Sequence, residues 1–195
     1  MSTVTAVPKP PKFSEPRARL LRVASELFYR DGISTVGVDR ILGEADVTRA
    51  TLYRHFAGKE GLVEAYLDHE DETIRGYFTA SEAQATSPRH YLELVISGIA
   101  EDALRHHTRG CPFINAAAEY PDPTSPVRQR VTQHRTWFRN TLETALANAG
   151  LPDAATRAAT LVLLRDAALV GGYLDGPESI SRTFVKAART AAGLE

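Results

Sequence analysis

Asp46-Val47-Thr48-Arg49-Ala50-Thr51-Leu52-Tyr53-Arg54-His55-Phe56 is the stretch whose reading decides the fold. Val47, Leu52 and Phe56 recur at spacings that turn them to one side of a short helix. Thr48, Arg49, Thr51, Tyr53, Arg54 and His55 carry hydrogen-bond donors or cationic nitrogens on the other side. An apolar back with a donor-rich front suits a helix laid against nucleic acid. Thr48 is placed to cap the helix start, where free N–H groups and a partial positive charge favour phosphate. Solvated surface helices use the same residue types, so the neighbouring sequence has to discriminate.

Upstream, Leu20, Leu21, Ala24, Leu27 and Phe28 form a helical stripe that ends at Asp31-Gly32. Val38, Ile41, Leu42 and Ala45 share one side of a second short helix. The connection around Asp46-Val47 has the length of the turn in a helix-turn-helix. The expected core of this unit is Leu21, Ala24, Phe28, Val38, Ile41, Leu52 and Phe56.

From Ala24 to Leu67 the chain resembles the DNA-binding domain of the TetR/AcrR family of one-component bacterial repressors. The resemblance rests on Val38-Asp39-Arg40-Ile41, on Val47 through Phe56, and on Lys59-Glu60-Gly61-Leu62; its Leu-Tyr-x-His-Phe-x-x-Lys-Glu core is highly specific. It implies that Thr48, Arg49 and Thr51 face base edges and that Tyr53, His55 and Lys59 hold phosphates. Thr35 is implied as a further phosphate contact, and Ala50 and Arg54 lie in the same interface. Asp46 stands where the family usually has Gly in its turn, and Ala50 where Gly is common. An aspartate tolerates such a turn, but it places an anion beside the DNA face.

The 195 residues, 43% hydrophobic and 24% charged, are ordinary for a globular protein of one large or two smaller domains. The net charge of −1 conceals a polarity: residues 1–60 hold 10 Lys and Arg against 7 Asp and Glu, and residues 61–195 hold 13 against 17. The basic end is the one with the nucleic-acid helix. Cys111 is the only cysteine, which excludes an intramolecular disulfide and a cysteine zinc cluster. No apolar run approaches the roughly 20 residues of a membrane span, and the N-terminus lacks a signal pattern, so the expected location is the cytoplasm, with no membrane partner.

Residues 1–13, with Pro8, Pro10 and Pro11 among lysines, read as a disordered tail. Lys59 opens a long fourth helix whose apolar positions are Leu62, Val63, Tyr66, Leu67, Ile74 and Phe78; the carboxylates and His of residues 68–72 read as its solvated face rather than as a metal site. Further helices run from His90 to His107, over Cys111 to Tyr120, from Ser125-Pro126 to Gly150, from Asp153 to about Leu174, and from Glu178 to about Ala192. No strand pattern appears. The fold class is therefore all-α, and the resemblance implies a three-helix helix-turn-helix domain at 14–60 followed by a helical ligand-binding and dimerisation domain at 61–195.

The resemblance implies a homodimer formed by the last two helices, with a charge at Phe184 or Ala188 expected to split it. In the second domain Tyr66, Phe78, Phe113, Tyr120, Trp137, Phe138 and Tyr173 are candidates to wall an apolar ligand cavity, with Asn115, Glu119 and His134 as polar anchors. The expected partners are operator DNA and a small-molecule effector, with no metal or other cofactor. Cys111 near His106 and His107 admits a Cys–His enzyme, but no orienting third residue or nucleophile motif accompanies it. A thiol sensor at Cys111 is the better alternative to the cavity.

Overall fold

Side-chain caps or first-turn prolines start the helices that begin at Arg49, Pro88, Pro112, Pro126 and Pro177. The computed structural model describes residues 15–194; the expected tail lies outside them. Among the described residues every regular element is helical: α1 (Glu15–Asp31), α2 (Val38–Ala45), α3 (Arg49–Phe56), α4 (Lys59–Gln84), α5 (Pro88–Arg105), α6 (Pro112–Glu119), α7 (Pro126–Asn148), α8 (Ala154–Asp175) and α9 (Pro177–Ala192). Ser87 and Ser125 accept hydrogen bonds from the His90 and Arg128 amides at 3.1 and 3.3 Å, and each is followed by a proline that needs no intrahelical acceptor.

α1, α2 and α3 enclose a small core of Leu20, Val23, Ala24, Leu27 and Phe28 with Ile41, Leu42, Leu52 and Phe56. Leu21 and Val38, expected inside, are only half-buried. α1 starts at Glu15, and its phase puts Leu20 rather than Leu21 over Ala24, Leu27 and Phe28. In the turn between α2 and α3, Asp46 takes a left-handed conformation (φ 50°, ψ 55°), so aspartate here does what glycine does elsewhere. Arg19 secures the turn from α1, donating from Nε to the Ala45 carbonyl at 3.3 Å and from Nη2 to that of Asp46 at 3.4 Å.

α4 begins against the backbone of α3. A Cβ on Gly61 would stand 1.9 Å from the Phe56 carbonyl oxygen, so only glycine permits this approach. α4 then buries Leu62, Val63, Tyr66, Leu67, Ile74 and Phe78, extending from the helix-turn-helix into the second domain, where it packs on α5, α6 and α7. α8 and α9 form the most extensive helix pair. Phe184 and Ala188, expected at a subunit interface, are instead buried in the chain's own core; the amphipathic face of α9 faces inward. Four of the large apolar side chains left outside are on α8, where Leu163, Val170, Tyr173 and Leu174 are exposed.

Candidate functional site

The outer face of α3 is built by its cap and its period. Thr48 has extended backbone and accepts from the Thr51 amide at 3.3 Å, while the two hydroxyls lie 3.0 Å apart. Leu52 and Phe56 face the core, leaving Thr48, Arg49, Ala50, Tyr53 and Arg54 exposed and Thr51 and His55 half-buried. Arg49 is held by a hydrogen-bonded ion pair with Asp39 at the start of α2. Both partners are well exposed, so the pair is weak and a phosphate or base edge can replace it. Lys59, at the start of α4, is half-buried and lies in the field of Glu119; burial pulls its pKa below the ordinary lysine value and Glu119 opposes this. Thr35 is exposed in the α1–α2 turn.

Behind this face, α6 and the loop that leads into it grip the helix-turn-helix at two points. At the C-terminal end of α6 the Glu119 carboxylate accepts from the Ile33 amide at 2.9 Å and from the Ser34 amide. Burial alone would raise its pKa, but these two amides and Lys59 hold it below the usual glutamate value. At the loop, the Tyr29 hydroxyl donates to the Gly110 carbonyl at 3.0 Å and accepts from the Arg109 amide at 2.7 Å, and Arg109 Nη1 donates to the Tyr29 carbonyl at 2.9 Å. Asn115 Nδ2 braces this loop by donating to the Arg109 carbonyl at 3.2 Å.

The residues expected to wall one cavity therefore separate into three groups. Phe113, His134, Trp137, Phe138 and Phe78 do meet: the Phe113 and His134 rings stack at 3.7 Å, and Phe78 lies edge-on to Trp137 at 5.3 Å and to Phe138 at 5.5 Å. Tyr66 is fully buried against Phe28 at the α1–α4 junction, and Asn115 and Glu119 serve the grip on α1 and its turn, with half-buried Tyr120 next to Glu119. Tyr173 is 52% exposed on the surface of α8.

The acidic stretch of α4 turns out not to be a purely solvated face. His134 Nδ1 lies 2.7 Å from Asp71 Oδ1, so that nitrogen carries the proton, and Nε2 is buried with no partner. Burial pushes the His134 pKa down to about 4 against the pull of Asp71, so the ring is neutral. His107 is bracketed by Asp102 Oδ2 at 2.7 Å on Nδ1 and Glu70 Oε2 at 3.2 Å on Nε2. Burial disfavours its charge, but the two carboxylates outweigh it and bring the pKa up to about 9. The His107 ring lies edge-on to Tyr29 at 5.7 Å, directly behind the grip on α1. Among the described residues no three His, Cys, Asp or Glu side chains are arranged to hold a metal ion.

Arg165 is the residue that sequence reasoning missed. It is 4% exposed inside α8, over the Phe138 ring, with Nη1 3.2 Å from the Cys111 sulfur and 3.1 Å from Asp166 Oδ1. A signal existed, since Arg165 shares the helix face of Leu161, Ala168 and Leu169 and interrupts an apolar stripe. Cys111 is fully buried, and its candidate base His107 is engaged by two carboxylates.

A capped donor-rich helix on a three-helix unit, joined by a shared helix to a larger helical domain, defines a one-component DNA-binding regulator. The chain belongs to the TetR family: the model for bacterial regulatory proteins of the tetR family matches residues 20–66, and that for the tetracyclin repressor-like C-terminal domain matches residues 89–162. It is 45% identical to SCO4454, a TetR-family transcriptional regulator from Streptomyces coelicolor, over 92% of this chain and 95% of that one, with a TM-score of 0.88. It is 29% identical over 175 residues to the probable HTH-type transcriptional regulator ArpR of Pseudomonas putida, spanning 85% of this chain and 83% of ArpR. It is 30% identical over 138 residues to the HTH-type transcriptional regulator TtgR, also of Pseudomonas putida, spanning 69% of this chain and 66% of TtgR. Among the described residues no helix is long and apolar enough to cross a membrane.

Proposed function

We propose that this regulator is a homodimeric repressor that binds a palindromic operator and leaves it when a small apolar or aromatic ligand occupies the second domain. Residues 14–60 form the DNA-binding part and 61–195 the regulatory part. Thr48, Arg49, Ala50 and Thr51 approach base edges, while Thr35, Tyr53, Arg54, His55 and Lys59 take phosphates. The exposed stripe of Leu163, Val170 and Leu174 on α8 supports a two-fold interface, because apolar side chains seven and four residues apart line one face of a helix.

The observation that carries the ligand-responsive reading is the grip of α6. Its first turn places Phe113 against His134 in the aromatic cluster, while the loop before it holds α1 and its C-terminal end holds the turn before α2. A ligand that displaces α6 must strain or break these hydrogen bonds and shift the DNA-binding unit. Linkage then requires operator and ligand to weaken each other by the same factor, typically about 5–150-fold.

The test is a screen of apolar and aromatic metabolites that follows Trp137 emission and, separately, release of labelled operator. Compounds that change Trp137 emission are expected to weaken operator binding by the reciprocal factor. Trp137 responses with unchanged operator affinity would contradict the reading. Release by oxidants alone, abolished in Cys111→Ser, would replace it with thiol sensing.

A further inference from the structure

Arg19 on α1 meets the turn between α2 and α3 with a two-pronged contact. Its Nε donates to the Ala45 carbonyl at 3.3 Å and its Nη2 to the Asp46 carbonyl at 3.4 Å. Nη1 stands 3.8 Å from Glu15 Oε1, so all three guanidinium nitrogens are turned to protein. The turn's own amides face back into α2, Asp46 N–H donating to Gly43 at 3.3 Å and Val47 N–H to Leu42 at 3.1 Å. No backbone amide among the described residues donates to the Ala45 or Asp46 carbonyl. These carbonyls lie at the negative end of α2, whose last turn has no basic residue. Arg19 supplies that cation from the neighbouring helix, where Leu20 beside it is fully buried.

Asp46 makes the turn depend on that contact. Its left-handed backbone (φ 50°, ψ 55°) is open to glycine freely but carries a steric cost for any residue with a Cβ, which aspartate only partly recovers. One residue, Val47, separates Asp46 from Thr48, the cap of α3, so rotating either peptide plane that Arg19 holds re-aims α3. An arginine fork fixes two successive carbonyls at once, which the single ammonium of a lysine on a flexible stem cannot do. We propose that Arg19 is a positioning residue for sequence recognition: it holds the turn in the conformation in which α3 presents Thr48, Arg49 and Thr51 to base edges, and it touches no base itself. This rests on the proposed reading of α3 as the base-reading helix.

The test titrates the full-length wild type, Arg19→Lys, Asp46→Gly and the double variant with the duplex that the wild type selects from a random pool and with its scrambled counterpart, at several salt concentrations. Arg19→Lys keeps the charge and loses the fork. It is expected to lower the ratio of selected to scrambled affinity by about fivefold or more, the lower end of what one mismatched base pair costs, with the salt slope unchanged. Asp46→Gly alone removes an anion, so it should strengthen both duplexes alike and keep their ratio. In the double variant glycine adopts the left-handed turn unaided, and the ratio is expected to return to the wild-type value. The Arg19 side chain is 39% exposed, so its substitution should keep the fold, which urea unfolding of each variant checks. A discriminating wild type whose Arg19→Lys form discriminates equally well overturns the proposal. So does Arg19→Gln if it weakens both duplexes equally and flattens the salt slope, because Arg19 is then a phosphate contact. A loss of discrimination that Asp46→Gly fails to restore assigns Arg19 to the general packing of α1 on α2 and overturns the proposal as well. Wild-type protein that binds the two duplexes equally sinks the reading of α3 itself, and this proposal with it.

Discussion

The Glu119 carboxylate accepts the Ile33 amide at 2.9 Å, joining two residues 86 apart in sequence across the boundary between the regulatory helices and the DNA-binding unit. The Ser34 amide shares the same carboxylate. With Tyr29 bound to the Gly110 carbonyl, the C-terminal end of α6 and the loop before it are both tied to the helix-turn-helix.

Glu119→Ala leaves two backbone donors without their acceptor, and it is expected to cost about 1–3 kcal/mol in urea unfolding at neutral pH. The Glu119 pKa is depressed in the folded state, so its stabilisation is present above the usual 4.5 and is lost as pH falls through the lower folded value. The variant should show a shallower acid limb than the wild type. It should also lose part of the coupling between ligand and operator, and unchanged coupling would exclude this grip as the route.

Two buried histidines bound stability from opposite sides. His107 is raised from 6.5 to about 9, so its stabilisation is full below 6.5 and is lost as pH rises through about 9. His134 is lowered from 6.5 to about 4, so its stabilisation is full above 6.5 and is lost as pH falls through about 4. Each limb is worth up to roughly 3 kcal/mol. Unfolding free energy measured against pH should peak near 6.5 from these two groups, and His107→Gln should flatten the alkaline limb alone. A variant that keeps the full alkaline decline would contradict the assignment.

Asp39 pairs with Arg49, and if Arg49 reads DNA as proposed, the duplex has to displace Asp39. Asp39→Ala frees the guanidinium and removes an anion, so affinity for all duplexes should rise by up to about fivefold. Arg49→Ala should cost roughly 1–3 kcal/mol at one position per half-site, whereas Lys59→Ala should weaken all sequences alike and reduce the salt slope by about 1. Titrations at several salt concentrations separate these outcomes.

Gly61→Ala forces a methyl group into the Phe56 carbonyl. Loss of about 1–3 kcal/mol is expected, together with weaker operator binding, because α3 must shift to relieve the clash. Wild-type stability and affinity in this variant would show that α4 does not fix the recognition helix.

Leu163→Glu combined with Leu174→Glu should convert a dimer to monomers in light scattering and abolish operator binding at the same concentrations. These side chains are 69% and 70% exposed, so the chain's own fold should survive. A dimer that withstands both charges places the interface elsewhere.

Much of this was legible because its signals are local. Ser87-Pro88, Ser125-Pro126 and Thr48 cap helices through residues three positions away, and the period of Leu52 and Phe56 orients α3. What stayed hidden depends on tertiary packing. Glu70 meets His107 across 37 residues and Arg165 meets Cys111 across 54, so residues 68–72 read as a surface run and Arg165 was missed. Glu119 and Asn115 have the chemistry of ligand anchors, but their partners are backbone groups that no side-chain pattern announces.

The most direct test lets the purified protein select duplexes from a random pool and then titrates the selected site against a scrambled one, counting subunits per duplex. A palindrome with half-sites one helical turn apart, about 34–36 Å or a multiple of it, bound by two subunits at least about a thousandfold more tightly than the scrambled duplex, is the predicted result. No enriched palindrome, or equal affinity for the two duplexes, would contradict it.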